Sequence, residues 1–111
     1  MDLRDITNLA IATLRVRPWS IEDVLETCKE VDKTISQQDL NLIEDTLIEE
    51  VLNKSIVANR PRMLFLLALK AQQALDEHKS GVFVEYNKRY ILVNAKSLIE
   101  IVKEKLCGAD E

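Results

Sequence analysis

The chain has 111 residues, of which 47% are apolar and 31% charged, with a formal net charge of −4. That length holds one domain with a real core and is short for two. The composition excludes a disordered chain, and the acidic balance argues against a nucleic-acid partner, which usually needs a basic face.

In chain order, residues 1–5 lack the basic region of a signal peptide, and no cleavage pattern follows. Leu3, Ile6, Leu9, Ala10 and Leu14 then recur at helical spacing, which predicts a first helix over 3–15. Arg15 and Arg17 suit the negative pole of its dipole, and Pro18 ends it. Ser20, with Asp23 three residues on, predicts the cap of a second helix. Ile21, Val24, Leu25, Cys28 and Val31 form its apolar stripe, and Trp19 is placed to staple onto its start. Cys28 on that stripe reads as core filling rather than as a reactive thiol. With Cys107 it makes neither a disulfide framework nor a metal set, so reduced cytosolic thiols are expected.

Residues 32–35 form a connection. Ser36 restarts a helix in which Leu40, Ile43, Leu47, Ile48, Val51 and Leu52 keep the helical period to about Asn53. Residues 54–60 read as a loop. Pro61 suits the first turn of a fourth helix, where a missing N–H costs nothing, and that helix should run to about Glu77. From Met63 to Leu69 it is apolar all round, the longest such run and far too short to span a bilayer. A helix of that kind is expected to be covered on more than one side, with the N-terminal helices as its second cover. A charge at Leu66 or Leu67 should then abolish folding. A folded Leu66→Asp protein would instead mark the run as a partner-binding surface. His78, the one histidine, falls at the C-terminal end of this helix, where a dipole role suffices.

The clearest segment is 81–102. Val82-Phe83-Val84-Glu85-Tyr86 and Arg89-Tyr90-Ile91-Leu92-Val93 are two runs of strand formers around Asn87-Lys88 and predict a β-hairpin. Asn tolerates the left-handed conformation of a tight turn and Lys does so poorly, which favours a turn longer than two residues. Ser97 and Glu100 have the spacing of a capping box, so the last helix is expected from Ser97 to about Leu106. The predicted class is therefore α+β and mainly helical. It comprises three N-terminal helices, a central apolar helix, one antiparallel hairpin and a C-terminal helix. Residues 1–111 are read as one domain, with a helical part over 1–53 and a helix–hairpin–helix part over 56–106.

Residues 56–103 resemble the histidine-containing phosphocarrier protein HPr of the sugar phosphotransferase system. The resemblance is carried by Glu85, Asn87, Val93, Asn94, Lys96, Ser97 and Leu98 around the hairpin and following helix, and by Arg60-Pro61 upstream. Ala58 stands where that family has its phosphorylated histidine. The spacings between and within these segments are longer than in the family. Residues 36–53 read as helix where the family has a strand, and the family's last strand and helix have no counterpart. The resemblance therefore implies a domain without phosphotransfer chemistry, and regulatory phosphorylation as the candidate role of Ser97, which otherwise simply caps a helix.

The pattern contains no paired histidines, no Gly-rich phosphate loop and no nucleophile motif. No enzymatic activity, metal or cofactor is expected. The functional expectation is a cytoplasmic, non-catalytic HPr-like module for protein interaction or regulation. Its partner would be another protein, with homo-oligomerisation left open and no membrane association. Candidate anion or partner contacts are Arg60, Lys88, Arg89 and Lys96. The alternative is a winged-helix-like DNA-binding transcriptional regulator, with Lys88, Arg89 and Lys96 as a basic wing.

Overall fold

A computed structural model describes residues 2–16, 20–55 and 60–108. It is mainly helical, with one two-stranded antiparallel sheet. The elements are α1 (Leu3–Val16), α2 (Ile21–Val31), α3 (Gln37–Lys54), α4 (Pro61–Asp76), β1 (Gly81–Tyr86), β2 (Arg89–Asn94) and α5 (Ala95–Gly108). Among the described residues, no helix is long and apolar enough to cross a membrane.

Local chemistry sets most boundaries. The Ser20 and Ser36 hydroxyls accept from the N–H groups of Asp23 and Asp39, at 3.1 and 3.0 Å, and cap α2 and α3. Between those helices the Asp32 carboxylate accepts from the Thr34 N–H and hydroxyl, at 3.0 and 2.6 Å, and fixes the connection. Pro61 occupies the first turn of α4 after Arg60 at the cap position. At the far end of α4 the Lys79 N–H donates to the Ala74 carbonyl and the His78 N–H to that of Leu75. His78 has φ 63°. This is a Schellman closure with histidine where glycine is usual. The exposed His78 therefore terminates the helix. The expected Trp19 staple and the break at Pro18 lie outside the described residues, as does Ala58.

Two boundaries differ from expectation. The hairpin turn has only two residues: Tyr86 pairs with Arg89, and Asn87 and Lys88 have φ 50° and 64°. These left-handed values make the turn type I′, the form that matches strand twist, and Lys88 accepts the local strain. The last helix begins at Ala95, two residues before Ser97. Asn94 is its cap, because its side-chain oxygen accepts from the Ser97 N–H at 2.9 Å. A Ser97–Glu100 capping box is therefore not formed. Asn94 lies three residues before the N–H it satisfies, the usual Asn cap spacing.

The core is built around α3, which packs against α1, α2, α5 and β1. Leu40, Ile43, Leu47, Ile48, Val51 and Leu52 are all buried. Ile6, Ala10 and Leu14 of α1, with Ile21, Val24 and Cys28 of α2, close one side. The hairpin lays Val82, Val84 and Tyr86 of β1 and Ile91 and Val93 of β2 onto the same core, as the period of two requires. Ser20 adds a single parallel bridge to Leu92, so the start of α2 guards the outer side of β2. At the hairpin base a Cβ on residue 81 would lie 2.7 Å from the Val93 carbonyl oxygen, which is why glycine stands there.

Among the described residues, the expected cover of α4 by the N-terminal helices is not formed. Its chief packing partners are α5 and β1, through Leu64, Ala71 and Ala74. The two parts of the chain are joined instead by α3 against β1 and α5, and by α2 against β2. Phe65, Leu66 and Leu69 remain 54%, 45% and 50% exposed. Leu66 therefore does not sit in a doubly covered core, whereas Leu67 is half-buried against it.

Candidate functional site

The four basic candidates do not meet. Arg60 caps α4 with its backbone, with no side-chain cap bond, and is exposed. Lys88 is exposed at the hairpin tip, and Lys96 is exposed in the first turn of α5. The six residues of β2 separate those two lysines by about 20 Å. Arg89 turns inward: its guanidinium lies 5.9 Å from the Tyr86 ring centre and donates to the Leu14 carbonyl in the last turn of α1. A cation there favours the helix dipole and ties the hairpin to α1.

Beside it lies a polar network that the sequence did not reveal. The Tyr86 hydroxyl donates to Glu50 Oε2 at 2.8 Å, and Arg15 Nε donates to the same oxygen at 3.2 Å. Burial alone would raise the Glu50 pKa. The Tyr86 and Arg15 hydrogen bonds and the cationic charge outweigh it and hold the carboxyl below its ordinary range. Burial, then the Glu50 acceptor, push the Tyr86 hydroxyl up. The network joins α1, α3 and β1. Its geometry is that of a structural tie, since the tyrosine is fully buried.

Ser97 is the third residue of α5, half-buried, and its hydroxyl donates to Glu44 Oε1 at 3.1 Å. Burial raises the Glu44 pKa most, and the charges of Asp45 and Glu22 add to it, against the lowering by Ser97. Nearby Asp45 is raised by burial, then by Glu104, Glu100 and Glu49. The surface that α3 and α5 share around Ser97 is thus strongly acidic. A phosphoryl group on Ser97 would bring negative charge and acceptor oxygens against the carboxylate it now donates to. A cleft of about 480 Å³ opens next to this surface, between α2, α3 and the hairpin base. Glu22, Glu26 and Glu44 line it with Leu25, Leu40 and Leu92. Its Lys29 is bonded to Glu26 at 3.2 Å.

The outer face of α4 has a different character. At 100° per residue, Phe65, Leu66 and Leu69 point together, away from Leu64, Ala71 and Ala74. Arg62 precedes them and Gln72, Gln73 and Asp76 follow on the same side. The Gln72 amide donates to the Asp76 carboxylate at 3.1 Å. On the flank of this face, a groove of about 460 Å³ runs between Lys70 and Gln73 of α4, Glu77 at its C-cap, and Phe83 of β1. Phe83 is itself 54% exposed. The sequence signal for this face was the all-round apolar run. It does not say which of its sides is left open.

Comparison with protein-family models, curated proteins and solved structures finds no match.

Cys28 is buried in the α1–α2 contact, and burial pushes its thiol up, away from the reactive thiolate. Cys107 is exposed near the end of α5. Among the described residues, no three His, Cys, Asp or Glu side chains are grouped to hold a metal ion.

Proposed function

We propose that this chain is a non-catalytic protein-interaction module whose docking surface is the outer face of α4. One observation carries the reading. Phe65, Leu66 and Leu69 stand half-exposed together on a helix whose opposite face is already packed. Scattered exposed apolar side chains are ordinary, but a contiguous cluster with a polar rim marks an interaction site. The non-catalytic part rests on where the reactive groups are spent. His78 closes a helix, Cys28 fills the core and Ser97 is bonded to Glu44.

The HPr resemblance of residues 56–103 enters as a proposal about descent. It is supported by the hairpin that leads directly into α5 through Asn94-Ala95-Lys96-Ser97. The helical α3 and the two-stranded sheet weigh against it. The winged-helix alternative has less support. Arg89 is turned toward Leu14, and the acidic surface of Asp45, Glu49, Glu100 and Glu104 would repel a phosphate backbone.

The test is a photo-cross-linking amino acid placed at Phe65 in the living cell, with one at exposed Lys103 as control. A discrete adduct at position 65 and none at 103 is expected. No adduct at either position would refute an α4 docking surface.

A further inference from the structure

The charges of α4 run against its own dipole. Acids favour a helix N-terminus and bases a C-terminus. α1, α2 and α3 obey this, with Asp5 and Arg15, Glu22–Asp23 and Lys29, and Asp39 and Lys54. α4 has no acid in its first turn and no base in its last. It carries exposed Arg62 at its start and exposed Asp76 at its end. Neither side chain belongs to the packed face.

Their positions are related. Arg62, Leu69 and Asp76 are spaced by seven residues and so lie on one stripe of the helix. At 1.5 Å per residue, Arg62 and Asp76 lie about 10.5 Å on either side of Leu69. A two-fold axis level with Leu69 therefore brings Arg62 of one helix opposite Asp76 of an antiparallel copy, twice. The same operation sets Leu69 against Leu69 and lays Phe65 and Leu66 over Gln72 and Gln73. On the flank that Leu66 shares with Gln73, Leu66 of the second copy reaches the level of the groove bounded by Phe83. Each dipole also faces its opposite, so this arrangement compensates the reversed charges. Parallel pairing would set Arg62 against Arg62 and Asp76 against Asp76.

We infer that the occupant of the α4 face is a second copy of this chain, docked antiparallel to form a symmetric dimer with Arg62–Asp76 pairs across a Phe65–Leu66–Leu69 centre. This rests on the interaction-module reading and names its partner. A surface that is its own complement about a two-fold axis is what a closed dimer interface needs.

Sedimentation equilibrium from micromolar to millimolar concentration tests it. The expected mass rises toward twice 12.7 kDa. Arg62→Asp or Asp76→Arg alone should weaken dimerisation by about tenfold, because symmetry breaks two pairs and creates two like-charge contacts. The double variant Arg62→Asp/Asp76→Arg should return to within about threefold of the original. Thermal melts of the dilute variants check folding: Arg62→Asp puts an acid in the first turn and should leave the monomer at least as stable. A chain that stays monomeric at millimolar concentration would overturn the dimer, as would a double variant no tighter than the single ones. The photo-cross-link at Phe65 separates the two levels. An adduct of twice the chain mass supports the dimer. An adduct of any other mass overturns it while keeping α4 as a docking face, and no adduct overturns both.

Discussion

Tyr86→Phe removes one oxygen and leaves the fully buried ring in place. The lost bond runs to Glu50, whose side chain is only 13% exposed and therefore depends on its two donors. A hydrogen bond to a charged acceptor is worth about 1.5–3 kcal/mol. The lower end applies, because Arg15 still donates to the same oxygen, so the expected loss is about 1.5 kcal/mol. With an unfolding entropy of about 2.1 cal/mol/K per residue, a chain of this length should melt about 6 °C lower. The pH dependence adds a second readout. The folded Glu50 carboxyl titrates below its ordinary range, so its contribution is present above the unfolded value and is lost as pH falls through the folded one. Tyr86→Phe removes part of what holds it low and should flatten that acid limb. Thermal and urea unfolding of Tyr86→Phe, Glu50→Gln and the double variant would give the coupling directly. A melting temperature unchanged in Tyr86→Phe, or a double variant that loses the sum of the single losses, would refute the tie between α3 and β1.

Leu66→Asp in dilute solution should stay folded, with stability within about 0.5 kcal/mol of the original, whereas Leu98→Ala at a fully buried site should cost about 3 kcal/mol; far-UV circular dichroism with urea titration separates them. Lys88→Gly and His78→Gly each relieve a left-handed residue and should stabilise the fold by about 0.5–1 kcal/mol after the unfolded-state entropy of glycine is counted, read as a higher urea midpoint at an unchanged slope. Glu44→Gln keeps an acceptor for Ser97 and removes a charge that burial disfavours. The folded Glu44 pKa is raised, so its ionisation costs stability above that value and the cost disappears as pH falls to the unfolded one. The variant should be at least as stable at pH 7 and should gain less than the original chain on mild acidification, as read by denaturation at both pH values.

The period of the apolar residues was enough to place five helices and a hairpin, because burial on one face imposes 3.6 or 2 on any sequence. Ser20, Ser36 and Pro61 marked helix starts through chemistry that needs only the next three residues. Where two local signals competed, tertiary structure chose. Asn94 and Ser97 can each cap a helix, and α5 starts at Ala95 while Glu44, more than fifty residues upstream, takes the Ser97 hydroxyl. The two-residue turn through Lys88 follows from the register that buries Tyr86 and Ile91 on one side, a requirement stronger than the preference of lysine. The Tyr86–Glu50–Arg15 tie brings together residues from three elements and has no trace in spacing. The run from Met63 to Leu69 shows the limit most clearly. Its composition says that the helix has apolar surface all round, but among the described residues α5 and β1 are its chief cover, on one side. Which side stays open depends on where other helices end up, and that is decided by the competition of all apolar faces for one core.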